Sequence, residues 1–266
     1  MSARSLKPGG ISKIAAALVS FLLVSAFLAA PSVAGASGGG DGCNPHRTTN
    51  YQHYYFSGID DESFPSYYEG IRANIFQYSP YVYNSGGGTD VATQWIMLDT
   101  TGNYWAQVGW IEFPGGLRYT VVQFRDPQYP QGGFSDTYPS WPINSTIGYK
   151  VTYNPACPVN CFDFYDNYSA TPLIGTDWGF MPTDAQAFSE IHDQASQIPG
   201  AVQDPSQTSG IQVADTSSSG SWYNMLGITA AYSGANGGTP PAWDKVSPVG
   251  TSYWNYYNSW DTACQY

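Results

Sequence analysis

Short runs rich in Val, Ile, Thr, Tyr and Trp, cut by Gly, Pro, Asn and Asp, recur along most of the chain. Runs of this length and composition predict strands rather than helices. The clearest group is central. Residues 91–98 predict one strand, turned by Asp99-Thr100-Thr101-Gly102-Asn103, and residues 104–113 predict the next. Pro114-Gly115-Gly116 then makes a turn, and residues 117–125 return. A three-residue loop containing Gly is a common hairpin connection. It sets Phe113 opposite Leu117 and Gln107 opposite Gln123. Period-two alternation then places Trp105, Gln107, Gly109 and Ile111 on one face, beside Tyr119, Val121, Gln123 and Arg125. The other face carries Val108, Trp110, Val122 and Phe124. A polar row on one face and an apolar row on the other predict an open groove above a packed core.

Residues 146–153 and 161–168 also read as strands, as do 211–215 and 222–231. The segment 184–198 fits both periods: Ala185, Phe188 and Ile191 have helical spacing, whereas Phe188, Glu190 and His192 have strand spacing. Aromatics make up 16% of the chain and charged residues only 11%. This composition, with many short strands, predicts a sandwich or a barrel.

The N-terminus differs from the rest. Arg4, Lys7 and Lys13 precede an almost wholly apolar run from Ile14 to Ala30, and Ala34-Gly35-Ala36 supplies a small-x-small cleavage pattern. This predicts a secretory signal peptide over residues 1–36. A flexible segment over 37–50 and a single sandwich domain over 51–266 follow. The expected location is secreted, extracellular and free of the membrane once the signal is removed. Three of the nine Lys and Arg leave with it, so six basic residues face 20 acidic ones, a net charge of −14. Such a surface repels phosphate backbones, which argues against nucleic-acid partners. Nothing in the sequence predicts an oligomer, and the expectation is a monomer.

All four cysteines, Cys43, Cys157, Cys161 and Cys264, lie beyond the signal. An even count in an exported chain predicts disulfides. Three connectivities exist. Cys157 and Cys161 are close enough to close a small loop, which leaves Cys43 for Cys264. His46, His53 and His192 show no ligand spacing with these cysteines, so no metal is expected. Asn144 and Asn167 head glycosylation sequons.

The sequence has no Gly-x-Ser-x-Gly elbow, no His-Glu-x-x-His and no phosphate loop. Carboxylates and amides are the remaining chemistry. Four segments carry a resemblance: Thr93-Gln-Trp-Ile-Met-Leu-Asp99, Ala106-Gln107-Val108-Gly109-Trp110, Tyr119-Thr-Val-Val-Gln123-Phe124 and Asp184-Ala-Gln-Ala-Phe-Ser-Glu190. In this order they resemble the eqolisins, the glutamic peptidases, and more distantly the neprosin type. The resemblance implies an all-β fold, an antiparallel β-sandwich (concanavalin-like jelly roll) with a concave active-site sheet. It also implies a catalytic dyad of Gln107 and Glu190 working at acid pH without cofactor or metal. Glutamate would take a proton from the attacking water, and the glutamine amide would donate to the developing oxyanion. Gln123, Trp105 and Tyr119 are the expected substrate contacts, and Gln123 stands where the family has a glutamate. The partner would be an extracellular polypeptide substrate.

The rival expectation is a non-catalytic module that binds extracellular glycan through aromatic rows. Its candidates are Trp105, Tyr119, Tyr138, Trp141 and Trp178. Glu112 and Asp126 resemble a glycosidase pair, but strand parity puts Glu112 on the face opposite Gln107.

Overall fold

A computed structural model describes residues 43–47, 55–61, 67–86, 90–100, 103–127, 129, 133–157, 160–177, 179–216, 220–225, 229–233, 244–248 and 256–264. The expected signal peptide and Trp178 lie outside them. The chain is an antiparallel β-sandwich, and the described residues form fifteen strands and contain no α-helix. In chain order the strands are β1 (Tyr55–Asp61), β2 (Tyr68–Phe76), β3 (Ala92–Asp99), β4 (Trp105–Phe113), β5 (Leu117–Arg125), β6 (Phe134–Pro139), β7 (Thr146–Tyr153) and β8 (Phe162–Asp166). They continue with β9 (Ile174–Gly175), β10 (Asp184–Ile191), β11 (Ser206–Asp215), β12 (Tyr223–Asn224), β13 (Thr229–Ser233), β14 (Asp244–Pro248) and β15 (Tyr256–Asp261). A seven-stranded sheet runs β13-β1-β10-β3-β4-β5-β6, and an eight-stranded sheet runs β14-β15-β11-β2-β7-β8-β9 with β12 beside β11.

The central hairpin has the register its loop requires. Phe113 pairs with Leu117 and Gln107 with Gln123. Gly115 and Gly116 both adopt positive φ, 82° and 79°, which a side chain would oppose. The ambiguous segment 184–198 begins as strand β10, inserted between β1 and β3. Two flanking ladders satisfy its backbone, and a helix there would leave both neighbours unpaired. The expected strand over 222–231 splits into β12 and β13, which belong to different sheets.

The core lies between the sheets. Ile96, Val108, Trp110 and Val122 from one sheet meet Ile71, Tyr149 and Phe164 from the other, all fully buried. Two polar constructions sit within this apolar layer. In the first, Glu112 and Arg118 face each other across the β4–β5 hairpin and are both buried. In the second, the Gln94 amide donates to Ser189 at 3.0 Å, Ser189 and Ser259 share a hydrogen bond of 2.7 Å, and Ser206 donates to Gln94 at 2.9 Å. This chain joins β3 and β10 of one sheet to β11 and β15 of the other. Every member is paired, the condition under which a buried polar network specifies a unique packing.

Two disulfides join Cys43 to Cys264 and Cys157 to Cys161. Residues 43–47, expected within a flexible segment, are fixed by more than the disulfide. The Arg47 guanidinium grips both carboxylate oxygens of buried Asp261, at 2.8 and 2.6 Å, and also donates to the Gln194 and Ser196 carbonyls.

Candidate functional site

Parity and register define the outward face of the seven-stranded sheet as rows of side chains. One row reads Gln186, Met97, Gln107, Gln123 and Ser135 across β10, β3, β4, β5 and β6. The next row toward the Asp99 end reads Asp184, Asp99, Trp105 and Arg125. On the other side come Phe188, Trp95, Gly109, Val121 and Thr137, and then Glu190, Thr93, Ile111, Tyr119 and Pro139.

The first row carries a chain of amides. Gln107 Nε2 donates to Gln123 Oε1 at 2.6 Å, and Gln123 Nε2 donates to the Ser135 hydroxyl at 3.3 Å. Gln107 and Gln123 are half-buried, and Ser135 and Thr137 are exposed. Trp105 lies one row away at one end and Tyr119 two rows away at the other, about 20 Å apart along the strands. Tyr119 meets Phe113 edge-on, with ring centroids 6.2 Å apart.

Glu190 stands elsewhere. Trp95 Nε1 donates to its Oε2 at 2.8 Å, and His192 Nε2 lies 3.1 Å from its Oε1. Both carboxylate oxygens are therefore engaged. Glu190 and Gln107 share the outward face, but two strand steps and four residues separate them. At standard strand dimensions this is on the order of 16 Å between Cα atoms, beyond one bridging water. By register the β10 residue in the Gln107 row is Gln186, and Glu190 lies two rows along. Met97 fills the position between Gln186 and Gln107.

The open groove is also smaller than parity alone predicts. Trp95, Met97 and Phe188 pack into one buried cluster on this face, with Phe56 and Trp105 against it. The accessible part of the face is the β4–β6 side. Tyr138 and Trp141 point the other way and pack against the inter-sheet core. Tyr138 donates to Asp136 at 3.2 Å, and Trp141 donates to Asp166 at 2.8 Å. Glu112 and Asp126 are buried, as the parity argument required for Glu112.

Three polar residues of the site escaped the sequence reading. Asp99 and Asp184 are register partners at the end of the groove, both buried, and Gln186 donates its amide to Asp184. The signal was available: Asp99 closes the first of the four resembling segments and Asp184 opens the last.

No protein-family model matches the chain, and no curated protein matches it. Its fold does match solved structures. Scytalido-glutamic peptidase, solved with a peptide-based transition-state analogue, superposes with a TM-score of 0.51 at 12% identity, over 78% of this chain and 98% of that one. The same peptidase with a transition-state analogue inhibitor gives 0.50 at 13% identity, over 81% and 100%. At such identity the likeness is one of fold. The chain shares the sandwich fold of these peptidases.

Proposed function

We propose that this chain is a secreted β-sandwich that binds extracellular polysaccharide along the accessible β4–β6 side of its seven-stranded sheet. The observation that carries the reading is the amide row: Gln107 donates to Gln123, Gln123 donates to Ser135, and a further amide, Gln186, lies in the same row beyond Met97. Amides and hydroxyls offer both donors and acceptors, which suits sugar hydroxyls. Trp105 and Tyr119 at the two ends supply apolar faces for pyranose rings, in the manner of aromatic-lined ligand sites. The about 20 Å between them fits an extended oligomer of a few units. Disulfides that close around the sandwich agree with an oxidising, extracellular location.

A second reading is favoured by one specific arrangement. Asp99 and Asp184 face each other one row from Gln107 and Gln186, on the same side of the sheet. Two carboxylates beside two amides could serve acid hydrolysis of a peptide bond, and the fold shared with scytalido-glutamic peptidase supports considering it. One experiment separates the readings. Mature protein is run through native gels containing neutral soluble glycans and, in parallel, incubated with casein from acid to neutral pH. The expected result is retardation by at least one glycan, weakened about tenfold or more by Gln107→Ala with Gln123→Ala, and intact casein throughout. Casein cleavage abolished by Asp184→Asn would establish the second reading. Cleavage abolished by Glu190→Gln instead would restore the Gln107/Glu190 dyad.

A further inference from the structure

The outer face of the eight-stranded sheet carries a construction that the groove does not use. One row across it reads Asn224, Gln212, Arg72, Lys150 and Tyr165, on β12, β11, β2, β7 and β8. Arg72 and Lys150 are therefore direct cross-strand neighbours. Like charges in that relation repel, and the mature sequence has only six basic residues to place anywhere. Lys150 titrates below its ordinary range, first through burial and then through Arg72, with Asp163 acting the other way. Among the described residues no carboxylate forms a salt bridge with either cation.

Each cation is instead held in place by neutral groups. Gln212 Oε1 accepts from Arg72 Nε at 2.9 Å and Nη2 at 2.6 Å. The Arg72 guanidinium carbon lies 4.6 Å from the Trp222 ring centroid, and Lys150 Nζ lies 3.7 Å from that of Tyr165. Asp163, the carboxylate that acts on Lys150, is engaged by Asn154 at 3.3 Å and by the Tyr165 hydroxyl at 3.4 Å. Two glycines seat the flanking rings. A Cβ on Gly70 would meet Trp222 at 2.7 Å, and one on Gly148 would meet Tyr168 at 2.2 Å. The result is a pair of aligned cations between aromatic rings, with Arg72 Nη1 and the Lys150 ammonium still free to donate.

We propose that this face binds a carboxylate-bearing sugar of an otherwise neutral glycan, the carboxylate lying between Arg72 and Lys150 and the sugar against Trp222 and Tyr168. Two donors at fixed spacing match a single carboxylate. The aromatic flanks match pyranose rings better than a bare ion. Sparse charge on the ligand matters, because a densely anionic polymer would be repelled by a chain of net charge −11. The site is separate from the groove and does not depend on what the groove binds.

The test uses the whole mature protein in native gels containing glucuronoxylan, whose neutral backbone carries isolated uronic acids. Native glucuronoxylan is expected to retard the protein at least tenfold more strongly than the same polymer after its carboxyls are reduced to alcohols, which leaves only what the groove binds of the neutral backbone. Arg72→Gln with Lys150→Gln should weaken retardation by native glucuronoxylan at least tenfold and leave retardation by the carboxyl-reduced polymer unchanged. Equal retardation by native and carboxyl-reduced polymer overturns the proposal, as does a double variant that binds within twofold of the parent. Equal competition by an acidic polypeptide overturns it too, since that identifies a general carboxylate site. Should the double variant fail to fold, the comparison of native with reduced glycan on the unaltered protein still decides.

Discussion

Arg118→Ala is expected to cost the fold about 3–5 kcal/mol, the loss seen when one partner of a buried ion pair is removed. Arg118 is almost fully buried beneath the β4–β5 hairpin. It meets Glu112 at 3.1 Å, donates to the Gln77 side chain at 3.2 Å and to the Tyr78 carbonyl, and lies 3.9 Å above the Trp110 ring. Alanine would leave the Glu112 carboxylate buried with the Ser79 hydroxyl, at 3.1 Å, as its remaining donor. Replacing both members together, Glu112→Leu with Arg118→Met, should recover most of the loss, because the desolvation of two charges is then avoided. Urea unfolding of the two variants beside the parent measures both effects. A single variant within 1 kcal/mol of the parent, by the usual scale of surface changes, would show that the pair does not matter to the fold.

The same pair gives stability a pH dependence of known sign. Burial pushes the Glu112 carboxyl up to about 7 despite the attraction of Arg118. Arg118 is lowered to about 10, first by burial, and stays charged throughout. With the folded-state value of Glu112 above its unfolded value of 4.5, its contribution is fully present below pH 4.5 and is lost as pH rises through about 7. The loss amounts to at most about 3 kcal/mol. Glu112→Gln keeps the shape and should flatten that part of the profile, leaving the parent more stable than the variant in acid relative to neutral conditions.

Removal of the Cys43–Cys264 disulfide is the second large effect. The bond closes a loop with a sequence separation of 221, whereas Cys157–Cys161 closes one of 4. In the chain-entropy model the long loop is worth about 5 kcal/mol and the short one about 2 kcal/mol. Cys43→Ser with Cys264→Ser should therefore lower the urea midpoint by about 2 M for a slope near 2.5 kcal/mol/M. The corresponding change at Cys157 and Cys161 should lower it by less than half as much. Arg47 adds to the asymmetry, because its bidentate grip on Asp261 fastens the same N-terminal entry to β15. If the two double variants unfold at the same midpoint, the long loop is not what the bond restrains.

The sequence alone determined the fold class and the local geometry of the hairpin at its centre. Alternation and turn chemistry are local properties, so the Pro114–Gly116 loop was enough to place Gln107 opposite Gln123. The same parity correctly sent Glu112 inward, although nothing local announced that Arg118 would meet it there. Cysteine spacing pointed to the two disulfides for a similar reason: a short loop admits few alternatives. The tertiary structure decided everything that depended on long-range register. β10 comes after β9 in sequence and yet lies between β1 and β3, so only the sheet order could place Gln186 rather than Glu190 in the Gln107 row. The sheet order also put Asp99 beside Asp184, and Arg72 beside Lys150, across strands far apart in the chain. A single residue of register inverts a strand's two faces, and a shift of four moves a carboxylate by about 14 Å. The residue types of a site can thus be read from a sequence of this class, while their meeting is settled by pairing between distant strands.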